Sequence, residues 1–294
     1  MSLAAAPIGV FDSGIGGLSV LQALRQELPH EHFVYVADSA HAPYGERGDA
    51  FVAARTHSIA QFLQQQHGIK ALVIACNTAT AAAVESLRQA LPQLPLVGVE
   101  PAIKPAAASS QTQHVGVMAT RGTVHSQRFQ KLLQAHGQQV QFHAQACDGL
   151  ASAIEHSTWP PQHTAQAAHT VAQLCAQYVQ ALGAFGVKTG QMDTLVLGCT
   201  HYVFIKDELR ALVGPDVMLL DTGAAVARQT RRLLEPLQAL RTAPPVAADA
   251  TALVQAPAQQ LQLLTTGSLP ALQAAAQRWL QVPAQRCAAV DIAL

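Results

Sequence analysis

The 294-residue chain reads as an α/β protein: two similar series of helices and mainly parallel strands, facing a shared cleft. Three observations carry that reading. From Ile8 onward, short apolar runs alternate with stretches of helical period, the βαβ pattern of a parallel sheet with right-handed crossovers. Two prolines in Glu100-Pro101-Ala102-Ile103-Lys104-Pro105 interrupt the alternation, and a second series follows. Each series also delivers a cysteine from an apolar strand, in Ala71-Leu72-Val73-Ile74-Ala75-Cys76-Asn77-Thr78 and in Thr194-Leu195-Val196-Leu197-Gly198-Cys199-Thr200-His201. The expected domains are 1–100 plus 208–294, carrying Cys76, and 101–207, carrying Cys199.

Taken in order, Ile8 to Phe11 is a strand, and Leu18, Leu21, Leu24 and Leu28 mark a helix that Pro29 stops. Phe33 to Ala37 is the second strand, followed by the polar, turn-rich Asp38-Ser39-Ala40-His41-Ala42-Pro43-Tyr44-Gly45. A helix from about Ala50 ends at Gly68 as its C-cap. The Cys76 strand, a helix to about Leu91 and a strand at Leu96 to Val99 complete the first series. The second series runs through a strand at His114 to Met118, a helix from Thr123 to Ala135 and a strand at Val140 to Ala144. A long helix from about Gln166 to Leu182 then leads to the Cys199 strand. A short helix at Lys206 to Leu212 and a strand at Val217 to Leu220 follow. The next helix starts at Thr222 and runs to about Leu240, with Pro236 placed to end it early. An Ala- and Pro-rich loop spans 242–257, before a last strand at Leu261 to Leu264 and a last helix at Leu269 to Leu280.

Composition narrows the function. With 18 basic and 18 acidic residues the formal charge is zero, which leaves no electrostatic footprint for nucleic acid or an anionic membrane. No apolar run reaches the roughly 18 residues of a bilayer span. The start lacks a basic n-region and is not read as a signal peptide. Five cysteines, far apart and without a Cys-x-x-Cys pair, form neither a disulfide framework nor a metal ribbon, and point to a reducing cytoplasm. A small, locally bound ligand remains, with no metal and no cofactor expected.

One cysteine after a strand is ordinarily a small buried hydrophobe. Two in the same context, each at a helix mouth where a thiolate is favoured, ask for a chemical reason. A disulfide relay is one. Proton transfer is another: inverting a carbon stereocentre needs one group to take a proton from one face and another to return it on the opposite face. A thiol, with an ordinary pKa near 8.5, can serve in either form near neutral pH. His201, two residues from Cys199, titrates in the useful range. Asp12-Ser13-Gly14-Ile15-Gly16-Gly17 fits neither a dinucleotide fingerprint nor a Walker loop, and its backbone N–H groups are expected to hold a carboxylate. Asp12 suits a proton acceptor or a partner for an ammonium group. Cys147, Cys175 and Cys287 lack the strand-end context, while Pro43-Tyr44-Gly45 and Glu155 read from composition as a turn and a surface carboxylate.

These stretches resemble the glutamate racemases of the aspartate/glutamate racemase superfamily. The resemblance rests on Phe11-Asp12-Ser13-Gly14-Ile15-Gly16-Gly17-Leu18, Pro43-Tyr44-Gly45, Ala75-Cys76-Asn77-Thr78-Ala79 and Gly98-Val99-Glu100-Pro101. It continues through Ala119-Thr120 with Thr123, Leu197-Gly198-Cys199-Thr200-His201, Asp221-Thr222-Gly223-Ala224-Ala225 and Thr265-Thr266-Gly267. It implies two α/β domains related by a pseudo-twofold with the active site between them. It also implies cofactor-independent interconversion of L- and D-glutamate for peptidoglycan, in a homodimer. Carried across, Cys76 serves the D-enantiomer with Asp12, and Cys199 serves the L-enantiomer with His201 and Glu155. Ser13, Pro43, Tyr44, Gly45, Asn77, Thr78, Thr123 and Thr200, with Asp12 and His201, would bind substrate. Val203 stands where the family has proline, and Cys147-Asp148-Gly149 lacks the proline usual after that cysteine. An aspartate or other amino-acid racemase, a non-catalytic amino-acid-binding or regulatory protein and a thiol-redox protein stay open as alternatives.

Overall fold

The computed structural model describes residues 3–158, 164–242 and 261–294. The first series is β1 (Ile8–Asp12), α1 (Leu18–Glu27), β2 (Phe33–Ala37), α2 (Asp49–His67), β3 (Ala71–Ile74), α3 (Asn77–Ala90) and β4 (Leu96–Gly98). Next come α4 (Ile103–Ser109), β5 (His114–Ala119), α5 (Arg121–His125), α6 (Gln127–His136), β6 (Gln141–Ala146), α7 (Leu150–His156) and α8 (Thr164–Leu182). The chain continues through β7 (Thr194–Gly198), α9 (Lys206–Val213), β8 (Met218–Leu220), α10 (Gly223–Leu234), β9 (Leu261–Thr265), α11 (Leu269–Leu280) and β10 (Cys287–Ala289).

Two sheets result, in the orders β10-β9-β2-β1-β3-β4 and β6-β5-β7-β8, and every pairing in them is parallel. This is the α/β architecture with two parallel sheets that the sequence predicts. All five residues of β1 are buried, as a strand covered on both faces requires. Ile8, Val10 and Tyr35 pack toward α1, α10 and α11, whereas Phe11, Val36 and Ile74 pack toward α2 and α3. The central strands of both sheets have neighbours on either side that run to opposite edges. In open α/β sheets ligands bind at the carboxyl ends of such strands. Asp12 and Cys76 lie there in the first sheet, Thr120 and Cys199 in the second.

Several elements differ from expectation, each for a physical reason. β8 pairs with β7 in register Thr194↔Met218, so the second sheet extends to Leu220 and not merely to residue 207. The prolines after Glu100 do not exclude a helix: Pro105 is the third residue of α4, inside the first turn, where backbone N–H groups have no intrahelical partner to lose. The helix expected from Thr123 to Ala135 is two helices, because Ser126 is extended and caps α6 by accepting from Phe129 N at 3.1 Å. Gly68 closes α2 in the left-handed region at φ 57°, as expected. Helix α10 stops at Leu234, ahead of Pro236. β10 went unread because Cys-Ala-Ala carries little strand preference. The Ala- and Pro-rich stretch, from 243 on, lies outside the described residues.

Candidate active site

The carboxyl ends of the two sheets enclose a cavity of about 360 Å3. Both Cys76 and Cys199 line it, as do Asp12, Ser13, Pro43, Tyr44, Gly45, Asn77, Thr78, Glu155, Thr200 and His201. Of the residues singled out in the sequence, Thr123 alone does not. It stands behind the wall, its hydroxyl 3.0 Å from that of Thr120, and Thr120 faces the cavity in its place. A position directly after a parallel strand is the signal that would have favoured Thr120.

Around Cys76 the contacts form a chain. Cys76 is the N-cap of α3, and its sulfur accepts from Ala79 N at 3.5 Å. The thiol donates to Ser13 Oγ at 3.6 Å, and Ser13 Oγ donates to Asp12 Oδ1 at 3.0 Å. The other carboxylate oxygen, Oδ2, accepts from Thr200 Oγ1 at 2.9 Å, across from the second sheet. The helix mouth does not yield a thiolate here. Burial, reinforced by the charge of Asp12, pushes the Cys76 thiol up to about 12, against the pull of Ala79 N–H and Ser13. Asp12 is raised as well, chiefly by burial, with His201, Thr200 and Ser13 opposing.

Cys199 has a different escort. It precedes a 3-10 turn, Thr200–Ile205, and its sulfur lies 3.7 Å from His201 Nδ1. His201 Nε2 pairs with Glu155 Oε2 at 2.6 Å. Glu155 arrives on α7, and Ile15 N–H donates to both its oxygens at 3.2 and 3.0 Å, with Ser39 Oγ donating at 3.0 Å. Burial works against a charged imidazole, yet Cys199 and Glu155 hold His201 well above its ordinary pKa. Burial likewise opposes the carboxylate, yet His201, Ile15 N–H and Ser39 hold Glu155 below its ordinary value. Both shifts favour an imidazolium facing a carboxylate, with His201 buried and Glu155 partly exposed.

The glycine loop explains itself at this point. A side chain on Gly14 would enter the Glu155 carboxylate, and one on Gly16 would enter the His201 ring. The loop does hold a carboxylate through its backbone, as expected, but the carboxylate is the protein's own Glu155. That group was readable from composition only as a surface acid, since its partners lie 140, 116 and 46 positions away in the chain.

The cavity's far wall is set by Asp38, fully buried beyond β2. It accepts from Tyr44 OH at 2.5 Å, from Arg55 Nε and Nη2 at 3.0 and 2.7 Å, and from Thr266 Oγ1 at 2.8 Å. Burial raises such a group, but these four donors keep its pKa low. The network fixes Pro43-Tyr44-Gly45 as a structured edge of the cavity and not a free turn. Across the cavity, Thr78 Oγ1 meets Thr120 Oγ1 at 2.9 Å. Asn77 Oδ1 is buried with no hydrogen-bond partner among the described residues. Cys147 and Cys175 are buried in the core of the second sheet and Cys287 in that of the first. No group of three or more His, Cys, Asp or Glu among the described residues is placed to hold a metal.

Residues 8–230 match the Asp/Glu/Hydantoin racemase family. A glutamate racemase of Ectopseudomonas mendocina is 50% identical over 83% of this chain and 88% of its own length. One of Pseudomonas aeruginosa is 47% identical over 80% of this chain and 83% of its own. Among solved structures, a glutamate racemase isoform of Bacillus anthracis superposes with a TM-score of 0.76 at 29% identity, over 98% of each chain. The Escherichia coli glutamate racemase in complex with L-glutamate and the activator UDP-MurNAc-Ala gives 0.75 at 28% identity, over 98% of this chain and 100% of that one.

Proposed function

Because the chain belongs to the Asp/Glu/Hydantoin racemase family and is therefore an isomerase, we propose that it interconverts L- and D-glutamate by two-base proton transfer. One observation carries this reading. Two buried thiols stand at the strand ends of two different sheets, line one cavity, and have separate proton partners. In the L-to-D direction Cys199 takes the α-proton and Cys76 delivers its own proton to the opposite face of the resulting carbanion. The reverse direction exchanges the two roles, so each turnover leaves the thiols swapped in protonation and the substrate balanced.

The partners fit these tasks. A neutral Cys76 is ready to donate toward D-glutamate. When it must instead receive a proton, the line through Ser13 to Asp12 carries its own proton away. His201, held by Glu155, exchanges a proton with Cys199 in the same sense. The unpaired Asn77 Oδ1 suits the substrate's ammonium group, and the hydroxyls of Ser13, Thr78, Thr120 and Thr200 suit its carboxylates. All acid and base groups are side chains of the protein, so the proposed reaction calls on no cofactor. In this reading the enzyme supplies D-glutamate for peptidoglycan, works in the cytoplasm as a homodimer, and folds as two α/β domains meeting at the cavity. No helix among the described residues is long and apolar enough to cross a membrane.

The test is α-proton exchange in deuterated water with each glutamate enantiomer, with circular dichroism following inversion. Exchange from both enantiomers with inversion is expected. Glutamate bound without exchange, or faster turnover of aspartate, overturns the assignment.

A further inference from the structure

We propose that Tyr35 is a positioning residue for the Cys199 half of the reaction, acting through the peptide that holds Glu155. Tyr35 lies on β2, in register with Val10, and is fully buried in an apolar cluster with Ile8, Val10 and Val73. A hydroxyl in that setting needs a partner, since burying it unpaired is unfavourable. Its partner is the carbonyl of Gly14, at 2.5 Å. The N–H of the same peptide unit belongs to Ile15, and it donates to both oxygens of Glu155. One peptide plane is thus pinned at its two ends, by a phenol on one side and a catalytic carboxylate on the other.

A tyrosine serving only the core would satisfy its hydroxyl on any convenient carbonyl. Here the carbonyl belongs to Gly14, which has no side chain of its own to steady it, because one would displace Glu155. An amide whose carbonyl accepts a hydrogen bond is also a stronger N–H donor. Tyr35 therefore fixes both the direction and the strength of the Ile15 bond to Glu155. From there the line continues to His201 and to the sulfur of Cys199. Tyr35 forms no hydrogen bond with Asp12, Ser13 or Cys76, whose chain ends on Thr200. Its phenol stays neutral under burial and the nearby charge of Asp12, Glu155 and Cys76, so it remains a donor. Removing it loosens the Ile15 bond to Glu155, and proton transfer at Cys199 is the step that slows.

The inference rests on the racemase reading, and the experiment separates the two. In the Tyr35→Phe enzyme, kcat/KM falls about tenfold in both directions, as the unit equilibrium constant between enantiomers requires. The primary deuterium isotope effect rises with α-deuterated L-glutamate, where Cys199 abstracts, and falls with the D-enantiomer, where Cys76 abstracts. A structural defect would leave the two isotope effects in their wild-type ratio, and that result overturns the proposal. So does unchanged turnover with unchanged isotope effects, leaving the racemase reading standing. Wild-type enzyme that does not invert glutamate removes the reading itself. Should the phenylalanine variant fail to fold, 3-fluorotyrosine at position 35 keeps the shape and strengthens the donor. An L-side isotope effect that moves supports the proposal, and one that does not move overturns it.

Discussion

The two cysteines occupy the same place in the same local plan, yet their surroundings share almost nothing. Cys76 caps an α-helix and reaches Asp12 through the hydroxyl of Ser13. Cys199 opens a 3-10 turn and abuts a histidine paired with a half-buried glutamate. One side links its thiol through a single hydroxyl to a carboxylate whose pKa is raised; the other sets a histidine paired with a carboxylate against the thiol. The comparison teaches that a repeated strand–Cys–helix frame fixes where a thiol stands and not how it is served. The service comes from the loops and helices that accompany each thiol's own sheet, and the two sheets offer different residues.

The most direct way to break this comparison is to remove one thiol at a time. Cys76→Ser and Cys199→Ser should each lower racemisation by about 10³-fold or more. The residual chemistry should differ: Cys76→Ser still exchanges the α-proton of L-glutamate without inverting it, and Cys199→Ser that of D-glutamate. Deuterium incorporation by mass spectrometry reads this, and the opposite pattern reverses the assignment. Next in size, His201→Asn should cost about 10²-fold in kcat, with a normal deuterium isotope effect that grows for L-glutamate. Equal isotope effects for both enantiomers would place His201 outside the Cys199 half.

Ser13→Ala should have the mirror effect at about tenfold, slowing abstraction from D-glutamate, where the Cys76 proton must be carried off. Deuterium isotope effects with both enantiomers separate it from His201→Asn, since here the effect grows for D-glutamate. The smallest effect is on stability. The raised His201 stabilises the fold fully below its unfolded pKa near 6.5, and that contribution is lost as pH rises through its folded value. The depressed Glu155 contributes fully above about 4.3 and loses its share as pH falls through its folded value. Wild type should therefore exceed His201→Asn in Tm by about 2–4 °C between roughly pH 4.5 and 6.5, with the gap closing above that window. Cys76, raised to about 12, does not titrate in that range, so Cys76→Ser should leave the pH dependence of Tm unchanged in shape. Calorimetry across the window checks both statements.

The parts of this site legible in the sequence are those coded locally. Apolar strand, cysteine and polar helix start sit within ten residues of one another, and so both thiols, Asp12, Asn77, Thr78 and His201 were found where the structure gathers them. What local coding misses depends on contacts between distant segments. Glu155 carries no local mark and enters the sequence reading through the family resemblance alone; its role in the geometry comes from Ile15, Ser39 and His201. Thr120 and Thr123 are both hydroxyls at the start of one short helix, and only the packing of α5 against α3 decides which of them meets the cavity. The pull of the helix mouth on the Cys76 thiol is outweighed for a related reason. A helix terminus acts over one turn and is visible in sequence, whereas complete burial beside a carboxylate is a property of the assembled sheets. The extension of the second sheet to Leu220 belongs here too, since strand partners are chosen in three dimensions.

Each carboxylate of the site is anchored by a residue attached to the other sheet: Asp12 by Thr200, and Glu155 by Ile15 and Ser39. This has a consequence for recombination between relatives. A chimaera joining the first sheet of one family member to the second sheet of another inherits two complete cysteine strands, and by local criteria should work. Its two carboxylates would nonetheless be oriented by a loop from one parent and a turn from the other. The unit that can be exchanged without loss is therefore smaller than a domain and discontinuous in the chain: the glycine loop from Asp12 to Gly16, together with α7 and the turn after Cys199.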